Sequence, residues 1–182
     1  MLKPSDILDE KNPILHKKSE EVTFPLSDKD KKLIKDAIKY LELSQDEEYA
    51  SKNNMRAGMG LAFVQLGILK RIFVISLLEE DDTFTEYVVI NPKIVSRSAE
   101  EIYVEEGEGC LSVNREAPGV VLRHARVTVE YFDINGNKQT TRVREDMAVA
   151  FQHEIDHLNG ILFVDKIDKN NPFKDKNKYR SI

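Results

Sequence analysis

Apolar residues along the chain recur first with helical spacing and then with strand spacing. Leu33, Ile34, Ala37, Ile38 and Leu41 fall three and four apart, with lysine and aspartate filling most of the positions between and around them. That spacing predicts an outer helix from Ser27 or Asp28, either able to cap it, buried along one stripe. Residues 71–78 and 86–91 are rich in branched and aromatic side chains and predict β-strands. Between them, Glu79-Glu80-Asp81-Asp82 predicts a solvated loop tip. Residues 93–105 predict a further strand or a pair of short ones. Arg126 to Phe132 and Lys138 to Arg144 flank Asp133-Ile134-Asn135-Gly136-Asn137, a hairpin turn signal. The alternation of Val127, Val129 and Tyr131 turns one face of that hairpin inward.

A second helix is predicted over Asp146 to Leu158, ended by Asn159-Gly160. Its stretch Met147 to Phe151 is apolar all round, which describes a helix enclosed by other elements. The fold class that follows is α+β, with antiparallel or mixed β-sheets around a buried central helix. No repeat or linker divides the sequence, so residues 1–182 are read as a single catalytic domain.

Composition narrows the classes. Hydrophobic residues make up 41% and charged residues 32%, the mixture of an ordinary folded domain. A net charge of -5 argues against a DNA-binding role, which needs a basic footprint. No signal-peptide run and no apolar stretch long enough to span a membrane are present. The single cysteine excludes an intrachain disulfide and fits a reducing, cytoplasmic setting.

The enclosed helix carries the candidate chemistry. His153 and His157, four apart, lie one above the other on a helix and present two imidazoles to one point. An unpaired imidazole on so apolar a helix would be costly, which favours a divalent metal over incidental histidines. Glu154, beside the first histidine, stands where a general base is needed. Cys110 follows Glu106-Gly107-Glu108-Gly109, whose glycines permit close backbone approach, and a thiolate would favour zinc, iron or cobalt over magnesium. Spacing alone leaves open whether Cys110 meets the histidines or is a small buried hydrophobe. The third segment, Gly58-Met59-Gly60-Leu61-Ala62-Phe63-Val64-Gln65, lacks the third glycine and preceding strand of a dinucleotide site. It reads either as a turn leading into a core helix, or as a loop whose Gln65 amide donates to a developing oxyanion. His16 and His124 have no comparable context.

Together the three segments resemble the peptide deformylase family: a glycine-rich stretch ending in glutamine, then Glu108 to Ser112 as Glu-Gly-Cys-Leu-Ser, then His153 to Leu158 as His-Glu-x-x-His-Leu. The longer N-terminal half and the Gly-Glu-Gly-Cys-Leu-Ser-Val form look like the type II branch. One departure stands out, because Phe63-Val64 replaces the family's usual Ala-Pro.

The resemblance implies a hydrolase that removes the formyl group from N-formylmethionyl nascent peptides and releases formate. It implies Cys110, His153 and His157 as metal ligands, with Fe2+ the expected ion and Zn2+, Ni2+ or Co2+ as substitutes. Glu154 would be the base, and Gln65 with the Leu111 backbone N–H the oxyanion donors. Met59, Val149 and Ala150 would line the methionine pocket, while Met59-Gly60 and Glu108-Gly109 would pair with the peptide backbone. Residues 165–182, with six Lys/Arg against three Asp, read as a solvated tail and secondarily as a weak, transient ribosome contact. The rival reading is a zinc peptidase using the same His-Glu-x-x-His, whose third ligand usually lies downstream of the helix.

Overall fold

A computed structural model describes residues 1–182. Helix α1 spans Asp28–Ser44, and Ser27 caps it by accepting a hydrogen bond from the Asp30 N–H. Ile34, Ala37 and Leu41 are buried along one stripe as the periodicity predicts. A short helix α2 follows at Glu47–Lys52. Strands β1 (Gly60–Ala62), β2 (Ile72–Leu78), β3 (Phe84–Arg97), β6 (Arg126–Phe132) and β7 (Lys138–Arg144) form a five-stranded antiparallel sheet in the order β1-β2-β3-β6-β7. Strands β4 (Glu101–Tyr103), β5 (Arg123–His124) and β8 (Arg180–Ser181) form a second, three-stranded sheet in the order β5-β4-β8, with β8 parallel to β4.

Helix α3 (Glu145–Leu158) carries the two histidines and starts one residue earlier than its sequence pattern suggests. It packs between the sheets, against Phe73, Ile75, Val89, Val127 and Val129 of the larger sheet on one side. On the other, Val149 packs with Ile102 and Ala125 beside the smaller sheet. The opposite face of the larger sheet, with Ile72, Val74 and Ile90, meets the buried stripe of α1. Side chains alternate across a strand, so Phe73 and Ile75 face α3 while Ile72 and Val74 face α1. Burial on both faces explains why residues 72–75 are continuously apolar rather than alternating. Gly160, at φ +76°, ends α3; a Cβ there would sit 2.7 Å from the carbonyl carbon of His16.

Three expectations are corrected. The strand expected at 86–91 runs on to Arg97, because Asn91-Pro92 is absorbed as an irregularity in the β3–β6 pairing. Asn91 takes a left-handed conformation at φ +51°, and its amide side chain both accepts from Val22 N–H and donates to Val22 O, replacing the ladder bonds lost at the break. Only residues 101–103 of the remaining segment form a separate strand. After Gly58 there is no core helix: β1 leads into one 3-10 turn, Phe63–Leu66. The basic C-terminal segment is no free tail. It folds back as β8, and Arg180 forms a fork on Glu145 while Lys176 pairs with Glu105 and Lys166 with Asp156.

Candidate metal centre and cleft

Helix α3 presents His153 and His157 one turn apart, their ring centroids separated by 5.0 Å. The loop before β5 brings Cys110 to them, with its Sγ 3.3 Å from Nε2 of His157. The three donor atoms lie within 4.8 Å of one another, so a single ion fits among them. The thiol upstream in sequence thus joins the two imidazoles in one candidate donor set, and no downstream histidine or carboxylate of the peptidase type belongs to it.

A carboxylate and a guanidinium orient this set. Glu108 Oε2 accepts from Nδ1 of His153 at 2.8 Å, leaving Nε2 for a cation. Arg123 forks onto both Glu108 oxygens at 2.7 and 2.9 Å and also binds Asp156. Burial pushes the Glu108 carboxyl upward, but His153 and Arg123 outweigh it and hold its pKa at about 2. Burial likewise disfavours a charge on His153, yet Cys110 and Glu108 raise its pKa well above 6.5. His157 is driven well below 6.5 by burial and by its cationic neighbours, so its imidazole is neutral and its lone pair is free for a metal. Arg123 has no signal in periodicity or spacing. Only its paired acids, forty-odd residues apart in sequence, reveal it once the chain is folded.

Glu154 is buried at 4% exposure, and its Oε2 has no hydrogen-bond partner. Burial raises its pKa to about 7, against the pull of His153 and Arg123. A buried carboxyl with one free oxygen and a near-neutral pKa is suited to accept and return a proton. Gln65 reaches the same corner from the turn after β1. Its Oε1 accepts from Ala62 N–H at 2.8 Å, and its Nε2 donates to Ser112 Oγ at 3.1 Å and lies 3.6 Å from Cys110 Sγ. Ser112 also donates its N–H to Cys110 Sγ at 3.4 Å, a contact that follows from its place just after Cys-Leu.

A cleft of about 390 Å³ opens over these groups. Met59, Gly60, Gln65, Glu108, Gly109, Cys110, Leu111, Val149, Ala150, His153 and Glu154 all line it, whereas His157 lies beneath the lining. Arg56, Val104 and Asp146 also line it and have no counterpart in the sequence reading. Strand β1 is an edge, paired to β2 on one side only. Phe63 and Val64, the departure from the family pattern, are fully buried in the α1 and α3 cores respectively and do not enter the cleft.

Fold and site together describe a small α+β protein of the metallohydrolase kind, built around one set of donors able to hold a metal ion. The polypeptide deformylase family model matches residues 4–173. A peptide deformylase from Listeria monocytogenes serotype 4a is 49% identical over 172 residues, 94% of each chain, and peptide deformylase 2 from Bacillus anthracis is 45% identical over 95% of this chain and 94% of its own. Among solved structures, the peptide deformylase of Plasmodium falciparum superposes with a TM-score of 0.72 at 35% identity, over 94% of this chain and 89% of the other. A Met-Ala-Ser-bound class I type b peptide deformylase from Acinetobacter baumannii does so at 0.70 and 30%, over 88% of this chain and 96% of the other. The chain belongs to the peptide deformylase family. It is accordingly a hydrolase that acts on formylated nascent peptides and depends on a divalent metal. No helix is long and apolar enough to cross a membrane.

Proposed function

We propose that Cys110, His153 and His157 hold the metal, Fe2+ in the working enzyme with Zn2+, Ni2+ or Co2+ as substitutes, and that Glu154 is the general base. The observation that carries this reading is the convergence of one thiol and two imidazoles at the floor of a cleft whose wall is a carboxyl with a raised pKa. When bound, the ion supplies a Lewis acid that acidifies water and polarises the formyl carbonyl. Glu154 takes a proton from the attacking water and returns it to the departing amine, so formate and a free N-terminus leave. The Gln65 amide and the Leu111 N–H donate to the oxygen on which negative charge develops.

The methionine side chain enters the cleft beside Met59, Val149 and Ala150, and selection for formyl, the smallest acyl group, is steric. The peptide backbone adds to the free edge of β1 at Met59 and Gly60. Opposite it, Gly109 has open space where a Cβ would stand. Glu108 contributes there through main chain only, since its side chain, 4% exposed, is committed to Arg123 and His153. Residues 1–182 act as one catalytic domain of the type II branch, in the cytoplasm where formylated chains are made. Ribosome contact would be weak and transient; the ion-paired cations of residues 165–182 make that segment a poor carrier of it.

Formate release from formyl-Met-Ala-Ser, run beside acetyl-Met-Ala-Ser and beside assays for released alanine and serine, tests the reading. Formate alone is expected. Cleavage of internal peptide bonds, or equal turnover of the acetyl peptide, would overturn it.

A further inference from the structure

Arg56 precedes β1 at the mouth of the cleft and is exposed, yet its guanidinium reaches across to the opposite wall. Nη2 donates to Leu111 O at 2.6 Å and to Asn114 Oδ1 at 2.9 Å, and Nη1 donates to Val113 O at 2.8 Å. Glu10 N–H holds the intervening Ser112 O at 2.7 Å. Three consecutive carbonyls of the turn after Cys110 are thus fixed, two of them by one side chain. No acid within the structure pairs with Arg56, so its charge serves these neutral acceptors rather than an ion pair.

Arg56 is itself anchored. Two residues on, Gly58 N–H donates to Ser44 Oγ at 3.2 Å, and Gly58 O accepts from Gln45 Nε2 at 3.1 Å. The walls also touch, since a Cβ on Gly58 would stand 2.9 Å from Leu111 Cδ1. A guanidinium presents several donors in one rigid plane, so it restrains the rotation of the peptide units it grips. Gripping Leu111 O restrains the backbone torsions that also aim the Leu111 N–H.

We propose that Arg56 is a positioning residue that pre-aims the Leu111 N–H at the developing oxyanion. This rests on the donor role given to Leu111 above. Catalysis by a fixed donor depends on its being aimed before reaction, and removing such a donor outright commonly costs about 10²–10³ in rate. Loosening one should cost less, about 10-fold in kcat.

Arg56→Ala and Arg56→Lys, each as metal-loaded enzyme, test this. For Arg56→Ala we expect kcat on formyl-Met-Ala-Ser to fall about 10-fold, with KM and the affinity for Met-Ala-Ser within about twofold of wild type. Metal content should not change, and amide hydrogen exchange over residues 109–114 should quicken. Arg56→Lys, with a single donor group, should recover part of kcat. Unchanged exchange would overturn the proposal whatever happens to kcat, because Arg56 would not be ordering the turn. Quicker exchange with wild-type kcat would instead sink the Leu111 donor role, and the proposal with it. A loss confined to KM and peptide affinity would make Arg56 a substrate contact, and a fall in metal content would move its effect to Cys110; either overturns the proposal.

Discussion

Gly60 and Glu154 are in such close apposition that a Cβ built on Gly60 would meet Oε1 of Glu154 at 2.3 Å. The glycine is required by the carboxyl behind it, since no side chain fits while Glu154 keeps this position. The obstructing atoms are the end of a flexible side chain, so Gly60→Ala should fold and displace the base instead. Steady-state assay is expected to give a fall in kcat of about 100-fold, the scale of a misplaced general base. Metal content by elemental analysis and the thermal midpoint should stay near wild type. Wild-type kcat in this variant would mean that Glu154 does not need its observed position.

Removing the carboxyl directly separates base from ligand set. Glu154→Ala is expected to keep its metal while losing at least about 100-fold in formate release. Glu154→Gln should be equally inactive, since an amide of the same size cannot accept the proton. Near-normal turnover in either variant would reassign the base.

Arg123 and Glu108 form a buried fork, their side chains only 2% and 4% exposed. Glu108→Ala strands a buried guanidinium with Asp156 as its remaining acidic partner and frees the His153 ring to turn. Breaking a buried pair from one side costs about 3–5 kcal/mol, with Asp156 placing this case at the lower end. Loss of the carboxylate behind a metal-binding histidine typically weakens metal affinity about 10–100-fold. Chelator titration and denaturant unfolding of the variant measure the two effects, and a variant with wild-type metal affinity would remove Glu108 from its orienting role.

Much of this was legible in the sequence for a physical reason. The spacing of His153 and His157, the all-apolar run Met147 to Phe151, and the alternation of Val127, Val129 and Tyr131 are local signals, and local geometry converts them directly into structure. What was not legible depends on partners distant in the chain. Asn91-Pro92 looks like a strand end and becomes a strand interior because Val22 supplies the missing bonds. The basic C-terminal residues look like a tail and become β8 because Glu145 and Glu100 are waiting for Arg180. Arg123 and Arg56 carry no periodicity at all; their importance comes entirely from acceptors on other segments. Phe63 also needed the fold, because only the buried face of α1 explains where its ring goes.

Acid should weaken the anchoring of α1 through Asp30. This carboxylate, buried next to the Ser27 cap, accepts from Lys70 Nζ at 2.6 and 2.8 Å and from Ser27 Oγ at 2.7 Å. Burial pushes its pKa up, but Lys70 and Ser27 outweigh burial and hold it below the ordinary 3.8. A carboxyl whose folded pKa is depressed contributes stability above its unfolded pKa and loses it as pH falls through the folded value. The Lys70 side chain is 41% exposed, so solvent screens the pair and the contribution is about 1 kcal/mol rather than that of a fully buried bridge. Asp30→Asn removes the titration while keeping the shape. Urea unfolding of both proteins should show the wild type more stable by about 1 kcal/mol at pH 6, with the gap closing as pH falls below 3.8. A gap that holds constant down to pH ~3 would mean that the charge on Asp30 does not stabilise the fold.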